Sequence, residues 1–139
     1  MGTRSAIGVL HGDVAKVVYC HWDGYLSHNG KLLQENYDSV KANKLVSLGD
    51  LSSLGSQIEP PEGVVHDFDN SWQDICVFYG RDRKEDGTEF RTVLSAKELF
   101  EEFSGCEYFY IMKDDTWYVS TGGEWEFLSV ALEREAAEA

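Results

Sequence analysis

From Ser5 to Leu10, and again from Val14 to Trp22, the chain is dense in Val, Ile and aromatic residues, with only His11-Gly12-Asp13 between the two runs. A short spacer bearing Gly and Asp between β-branched runs is a hairpin signal, so these segments predict the first two strands. The second run is apolar at consecutive rather than alternate positions, as expected of a central strand covered on both faces. Two helical patterns follow, at about 29–37 with Leu32, Leu33 and Tyr37 on one stripe, and at 39–48 with Val40, Leu45, Val46 and Leu48 on another. The second ends at Gly49, a natural C-terminal cap. From Asp50 to Gly63, Ser, Gly and the adjacent Pro60-Pro61 punctuate the chain without a helical period, which predicts turn and loop.

The second half predicts strands at 74–79, 107–113 and 116–120, the last two joined by a tight turn at Asp114-Asp115. Between them Ser95, followed three residues later by Glu98, opens a capped helix whose apolar face is Leu99, Phe100 and Phe103 and which Gly105 stops. Residues 81–89 are charged and contain Asp86-Gly87, so they predict an exposed loop or hairpin tip. Helix formers fill the tail from Glu126 to Ala139, with Leu128, Ala131 and Leu132 on one side. Hairpin-linked strands with helices inserted in two blocks, rather than in regular alternation, give an α+β fold. The expectation is a mainly antiparallel sheet packed by three to four short helices, one domain over residues 1–139 with an internal loop at about 50–63.

Charge changes this picture more than composition does. The net charge is −13, and residues 1–60 contribute −1 (six acidic, five basic) while residues 61–139 contribute −12 (19 acidic, seven basic). A surface of this sign repels phosphate backbones, so no direct nucleic-acid binding is expected, and the natural partner is a protein with a basic surface. Glu98, Glu101 and Glu102 are the candidate interaction residues in that half. No apolar run approaches the roughly 18 residues that cross a bilayer, Met1-Gly2-Thr3-Arg4-Ser5 lacks the layout of a secretion signal, and Ala6 replaces the Ser or Thr of a myristoylation site. The expectation is a cytoplasmic protein without a membrane partner.

Cys20, Cys76 and Cys106 lie in apolar runs without Cys-x-x-Cys spacing, and His11, His21, His28 and His66 form no His-x-x-x-His pair, so they read as reduced core thiols and no metal or cofactor is expected. Asp67-Phe68-Asp69-Asn70 resembles a calcium loop in composition but not in spacing. No phosphate loop, nucleophile elbow or metalloprotease helix occurs, and no catalytic residue is assigned. The densest chemistry is Tyr19-Cys20-His21-Trp22-Asp23-Gly24-Tyr25. If hairpin partners sum to about 24, within one residue of register, Ser5 faces Tyr19 and Arg4 faces Cys20, and His21 and Asp23 share a side with Thr3 and Ser5. Arg4, Ser5, His21, Asp23 and Tyr25 then form a candidate ligand-binding cluster. The bland alternative is that His21 and Asp23 merely bond the strand end and turn.

Met1-Gly2-Thr3-Arg4-Ser5, residues 19–25 and Gly49-Asp50-Leu51-Ser52-Ser53-Leu54-Gly55 together resemble a family of small uncharacterised proteins of bacteriophages and some bacteria, with weaker similarity at 79–83 and 108–117. The resemblance implies a phage accessory product acting in the bacterial cytoplasm and carries over no catalytic residue. Two readings of function stand. The first is a non-catalytic acidic interaction protein that engages or inhibits a host protein. The second is a binder of a small, nucleotide-like ligand, or a minor enzyme, at the end of the first hairpin.

Overall fold

A computed structural model describes residues 3–69, 71–72 and 74–138. Gly2, Asn70 and Ala139, which bear on the lipid-anchor, calcium-loop and tail-helix readings, lie outside the described residues. The strands are β1 (Ser5–His11), β2 (Val14–Cys20), β3 (Leu51–Ser53), β4 (Val77–Phe78), β5 (Arg91–Val93), β6 (Tyr108–Lys113), β7 (Thr116–Ser120) and β8 (Glu126–Phe127). The helices are α1 (Lys31–Asn36), α2 (Ser39–Ser47), α3 (Tyr79–Arg83), α4 (Ala96–Glu102) and α5 (Leu128–Glu138), with a π-helical turn at Leu26–Gly30 leading into α1. All eight strands join one sheet in the order β4-β3-β2-β1-β6-β7-β8, with β5 alongside β2. Pairing is antiparallel except for β1 with β6 and β2 with β3. The expected α+β class, a mainly antiparallel sheet packed by helices, is what the chain forms.

Each face of the sheet has its own core. Ile7, Val9, Val18 and Cys20 pack with Leu33 of α1, Ala42 and Leu45 of α2, and Leu128 and Ala131 of α5. Ala6, Ala15, Val17, Phe109 and Ile111 pack on the other face with Leu99 of α4 and Phe103. Strands that serve both cores cannot alternate apolar with polar, which is why β1 is buried from Ser5 to Val9. Fully burying one such Ile or Val stabilises the fold by about 1.5–3 kcal/mol. Gly8 is required by close approach, since a Cβ there would meet Lys16 O at 2.8 Å and Val17 Cγ2 at 2.8 Å.

The register corrects the expectation by one residue. Partners in the β1–β2 hairpin sum to 25, with Ser5 opposite Cys20, Ala6 opposite Tyr19 and His11 opposite Val14. The turn holds only Gly12 and Asp13, with Gly12 at φ +62°, so His11 belongs to the strand and not to the loop. A one-residue slip exchanges faces: Ser5 shares its side with Cys20, and Tyr19 sits on the opposite side. The second strand also ends at Cys20, two residues before Trp22.

Other departures have local causes. Residues 51–53, expected as loop, pair with β2 and β4 as a three-residue strand. The strand expected at 74–79 shortens to Val77–Phe78, because the Asp82 carboxylate accepts the Phe78 N–H at 2.8 Å and Tyr79 starts α3, where a loop was expected from residue 81. Lys84 ends that helix at φ +61°. Arg91–Val93 adds a strand that the sequence pattern does not signal. The Ser95 cap forms, with its Oγ accepting the Glu98 N–H at 3.1 Å. Asp114 and Asp115 both take positive φ (50° and 60°), the conformation a two-residue hairpin turn demands.

Candidate functional site

The end of the first hairpin is where the sequence concentrates chemistry, and here the chain is bound to itself. Asn29, fully buried, is the centre. Its Nδ2 donates to Ser5 Oγ (3.3 Å), Cys20 Sγ (3.4 Å) and Trp22 O (3.3 Å), while its Oδ1 accepts from His28 Nδ1 at 2.9 Å. The Asn29 backbone N–H donates to Asp23 O, and the buried Tyr110 hydroxyl donates to Gly24 O at 2.6 Å. Gly24 lies against β1, where a Cβ would meet the Ser5 Cβ at 2.7 Å. Residues 20–30 are therefore a strap fastened over the strand ends.

The five expected ligand residues do not converge. Ser5 is completely buried beneath Asn29. Arg4 is exposed, and its carbonyl accepts from the Glu107 N–H. His21 stands on the other face, its Nδ1 2.7 Å from the Tyr19 hydroxyl and its ring edge-on to Trp22 at 4.5 Å. Asp23 takes φ +55° and uses its carbonyl, not its carboxylate, to hold the strap. Tyr25 is exposed, with its ring 6.0 Å from that of His28. Cys20 cannot act with His21: the two side chains leave opposite faces, and burial pushes the Cys20 thiol up to about 12, so it is protonated at neutral pH. Asn29 and Tyr110 are the residues missed here. The one signal was an Asn at the head of a helical run with apolar neighbours.

A second polar cluster ties down the long segment before β4. Trp72 N–H donates to His66 Nδ1 at 3.2 Å and His66 Nε2 donates to Cys76 O at 3.0 Å, which fixes the neutral ring as its Nε2–H tautomer. Asp82 Oδ2 lies 3.8 Å from Nε2 and also takes the Arg81 guanidinium, whose other donors reach Ile58 O and Cys76 O. Each group has a partner within the chain, so the cluster is a clamp for the segment and not a receptive site. Among the described residues no three His, Cys, Asp or Glu side chains come together to hold a metal ion.

An apolar feature left open among the described residues lies at the opposite end of the hairpin, on the α4 face. There an apolar groove of about 490 Å³ runs between α4 and the turn end of the sheet, floored by Leu10, Ala15 and Ile111 and walled by Leu94, Tyr118 and Trp125. Asp13 and Lys113 also line it. This volume falls in the usual range of roughly 300–1,000 Å³ for ligand sites. Leu94 is 65% exposed and Phe127, its ring tilted against that of Tyr118 at 5.2 Å, is 50% exposed. Phe100 and Trp125 stack at 5.9 Å behind the wall. Of the expected interaction residues, Glu98 is half-buried on α4, whereas Glu101 and Glu102 are exposed on the same helix, Glu101 with Lys97 at 4.0 Å. No motif marks the groove, because its residues come from six separate segments. Compared with protein-family models, with curated proteins and with solved structures, the chain matches none.

Proposed function

We propose that the chain is a non-catalytic acidic interaction protein which engages, and so inhibits or redirects, a partner protein with a basic surface. The observation that carries this reading is the open apolar groove beside the carboxylates of α4, in a molecule whose second half carries a net charge of −12 (19 acidic, seven basic). An apolar patch ringed by charge is the ordinary anatomy of a protein-binding surface, in which the buried centre gives affinity and the charged rim gives partner choice and association rate. The resemblance to small phage and bacterial proteins supports a partner in a bacterial cytoplasm and a role as a phage accessory factor.

The small-ligand alternative would rely on Arg4, Ser5, His21, Asp23 and Tyr25, none of which lines the groove. The test is affinity capture from a bacterial lysate at about 50 mM and 500 mM salt, with the wild type, Glu101→Lys/Glu102→Lys and Leu94→Asp as baits. A partner retained by the wild type at low salt, and lost at high salt and from both variants, supports the reading. Equal recovery of that partner on all three baits overturns it.

A further inference from the structure

The two sheet faces are unequally covered. Three helices, α1, α2 and α5, contribute to the core on one face, whereas the other is packed by α4 alone, seven residues or about 10 Å long. Strand β6, with six residues, spans about 20 Å. The groove is the uncovered remainder of that face.

We infer that the groove is the seat of a basic amphipathic α-helix from the partner, an inference that rests on the interaction reading above. Two properties select this occupant. The first is direction. The lining passes from Val93 on β5 over Ala15, Leu10, Ile111 and Tyr118 to Trp125, so the groove runs across the strands and not along them. Strands β2, β1, β6 and β7 are each paired on both sides, so the floor offers side chains and not free backbone edges. An extended segment laid there would bury its own N–H and C=O groups without partners, whereas a helix bonds them internally and presents one apolar row. Crossing from β5 to β8 covers five strand spacings, about 24 Å, or about 16 helical residues.

The second property is charge. β1 and β6 are parallel, so the turns at Asp13 and at Asp114-Asp115 lie at the same end of the sheet, and Asp13 lines the groove there. Helix α4, which borders the groove through Ala96 and Leu99, carries Glu98, Glu101 and Glu102 against Lys97, and Lys113 is the cation in the lining. An apolar floor with anionic margins matches a helix with an i, i+3, i+4, i+7 apolar row flanked by Lys or Arg.

The probe is a synthetic 16-residue Ala/Lys helix carrying Leu at those positions, compared with the same peptide bearing Glu for Lys and with one broken by two central prolines. Binding is measured by calorimetry and mapped by amide shifts in the labelled full-length protein. The Lys helix is expected to bind with shifts confined to the groove, and to lose at least tenfold in affinity with Leu94→Asp, with Glu101→Lys/Glu102→Lys, and on changing Lys to Glu or inserting proline. Equal binding of the proline peptide at the groove would make the occupant an extended segment, overturning this inference while leaving the interaction reading intact. No binding by any peptide, while lysate capture still depends on Leu94, has the same consequence. Shifts mapping to Trp72 or Tyr25, or self-association of the protein alone that Leu94→Asp abolishes, also overturn it, the latter by making a second copy the occupant.

Discussion

At the Ser5–Cys20 end of the first hairpin, Asn29, Tyr110 and the backbone of residues 22–24 bond to one another, and no buried side-chain nitrogen or oxygen among the described residues lacks a partner. At the His11–Val14 end, Leu94, Tyr118 and Trp125 border a groove that no element among the described residues fills. The polar end is rich in residue types that do chemistry, yet the buried ones, Ser5, Cys20 and Asn29, spend their hydrogen bonds on holding a strap. The apolar end carries no recognisable chemistry, yet it is the end with unspent surface.

The comparison breaks most readily at Asn29. If the strap is structural, Asn29→Leu removes one side chain from four hydrogen bonds and strands Trp22 O and Ser5 Oγ in the core. An unfolding cost of about 3 kcal/mol is expected by urea titration, with groove binding unchanged in the folded fraction. A loss below about 1 kcal/mol would mean that the strap bears little load and that its polar groups are free for another use.

Alkaline pH tests the same end by a different route. Burial raises the Cys20 thiol to about 12, above its unfolded value near 8.5, and buried Tyr110 is raised as well. A neutral acid held by burial contributes stability that is fully present below its unfolded pKa. That stability is lost as pH rises, because the unfolded state releases its proton first. One thiol supplies at most about 1.4 kcal/mol per pH unit, so about 2 kcal/mol should disappear between pH 9 and 10.5. The check is the slope of melting temperature against pH, which Cys20→Ala should flatten. An unchanged slope in that variant would assign the effect to the tyrosines or to Cys106, whose thiol is also raised to about 12.

The fold was legible where one element buries one pattern. The hairpin, the Ser95 helix, the Asp114-Asp115 turn and the tail helix all announce themselves through caps, turn residues and period. Strands β3 and β5 did not, since three residues are too few to show a period and their pairing is set by β2 rather than by their own composition. The candidate cluster was drawn one residue out of register: counting His11 as loop moved every partner by one and placed Ser5 opposite Tyr19 instead of opposite Cys20, beneath Asn29. The groove was out of reach for a different reason. It is defined by the space that a seven-residue helix leaves uncovered, and no residue in the sequence encodes an absent neighbour.

Smaller effects separate the two halves of the expected motif. His21→Ala deletes the partner of the Tyr19 hydroxyl and the ring packed on Trp22, at a half-buried position, for an expected loss of about 1 kcal/mol. Asp23→Asn should change stability by less than about 0.5 kcal/mol, because the strap is held by the Asp23 carbonyl and Asn tolerates the positive φ as well as Asp does. Thermal melts of the two variants decide this. A larger loss for Asp23→Asn than for His21→Ala would show that the carboxylate has a role in the fold.

The smallest expected effect on stability carries the most weight for the comparison, and it belongs to Leu94→Asp. Leu94 is 65% exposed at the junction of β5 and α4, so the substitution removes little buried area and sets a carboxylate in water, for a change within about 0.5 kcal/mol in chemical denaturation. The same change places a charge on the wall of an apolar groove. Any apolar side chain seated there would have to desolvate it, so capture of the partner should fall at least tenfold while the melting curve stays where it was. That dissociation of binding from stability is the mark of a surface kept for another molecule. If Leu94→Asp instead lowers stability by 2 kcal/mol or more, Leu94 is a core residue in solution, the groove is closed by the chain itself, and the two ends of the hairpin are alike after all.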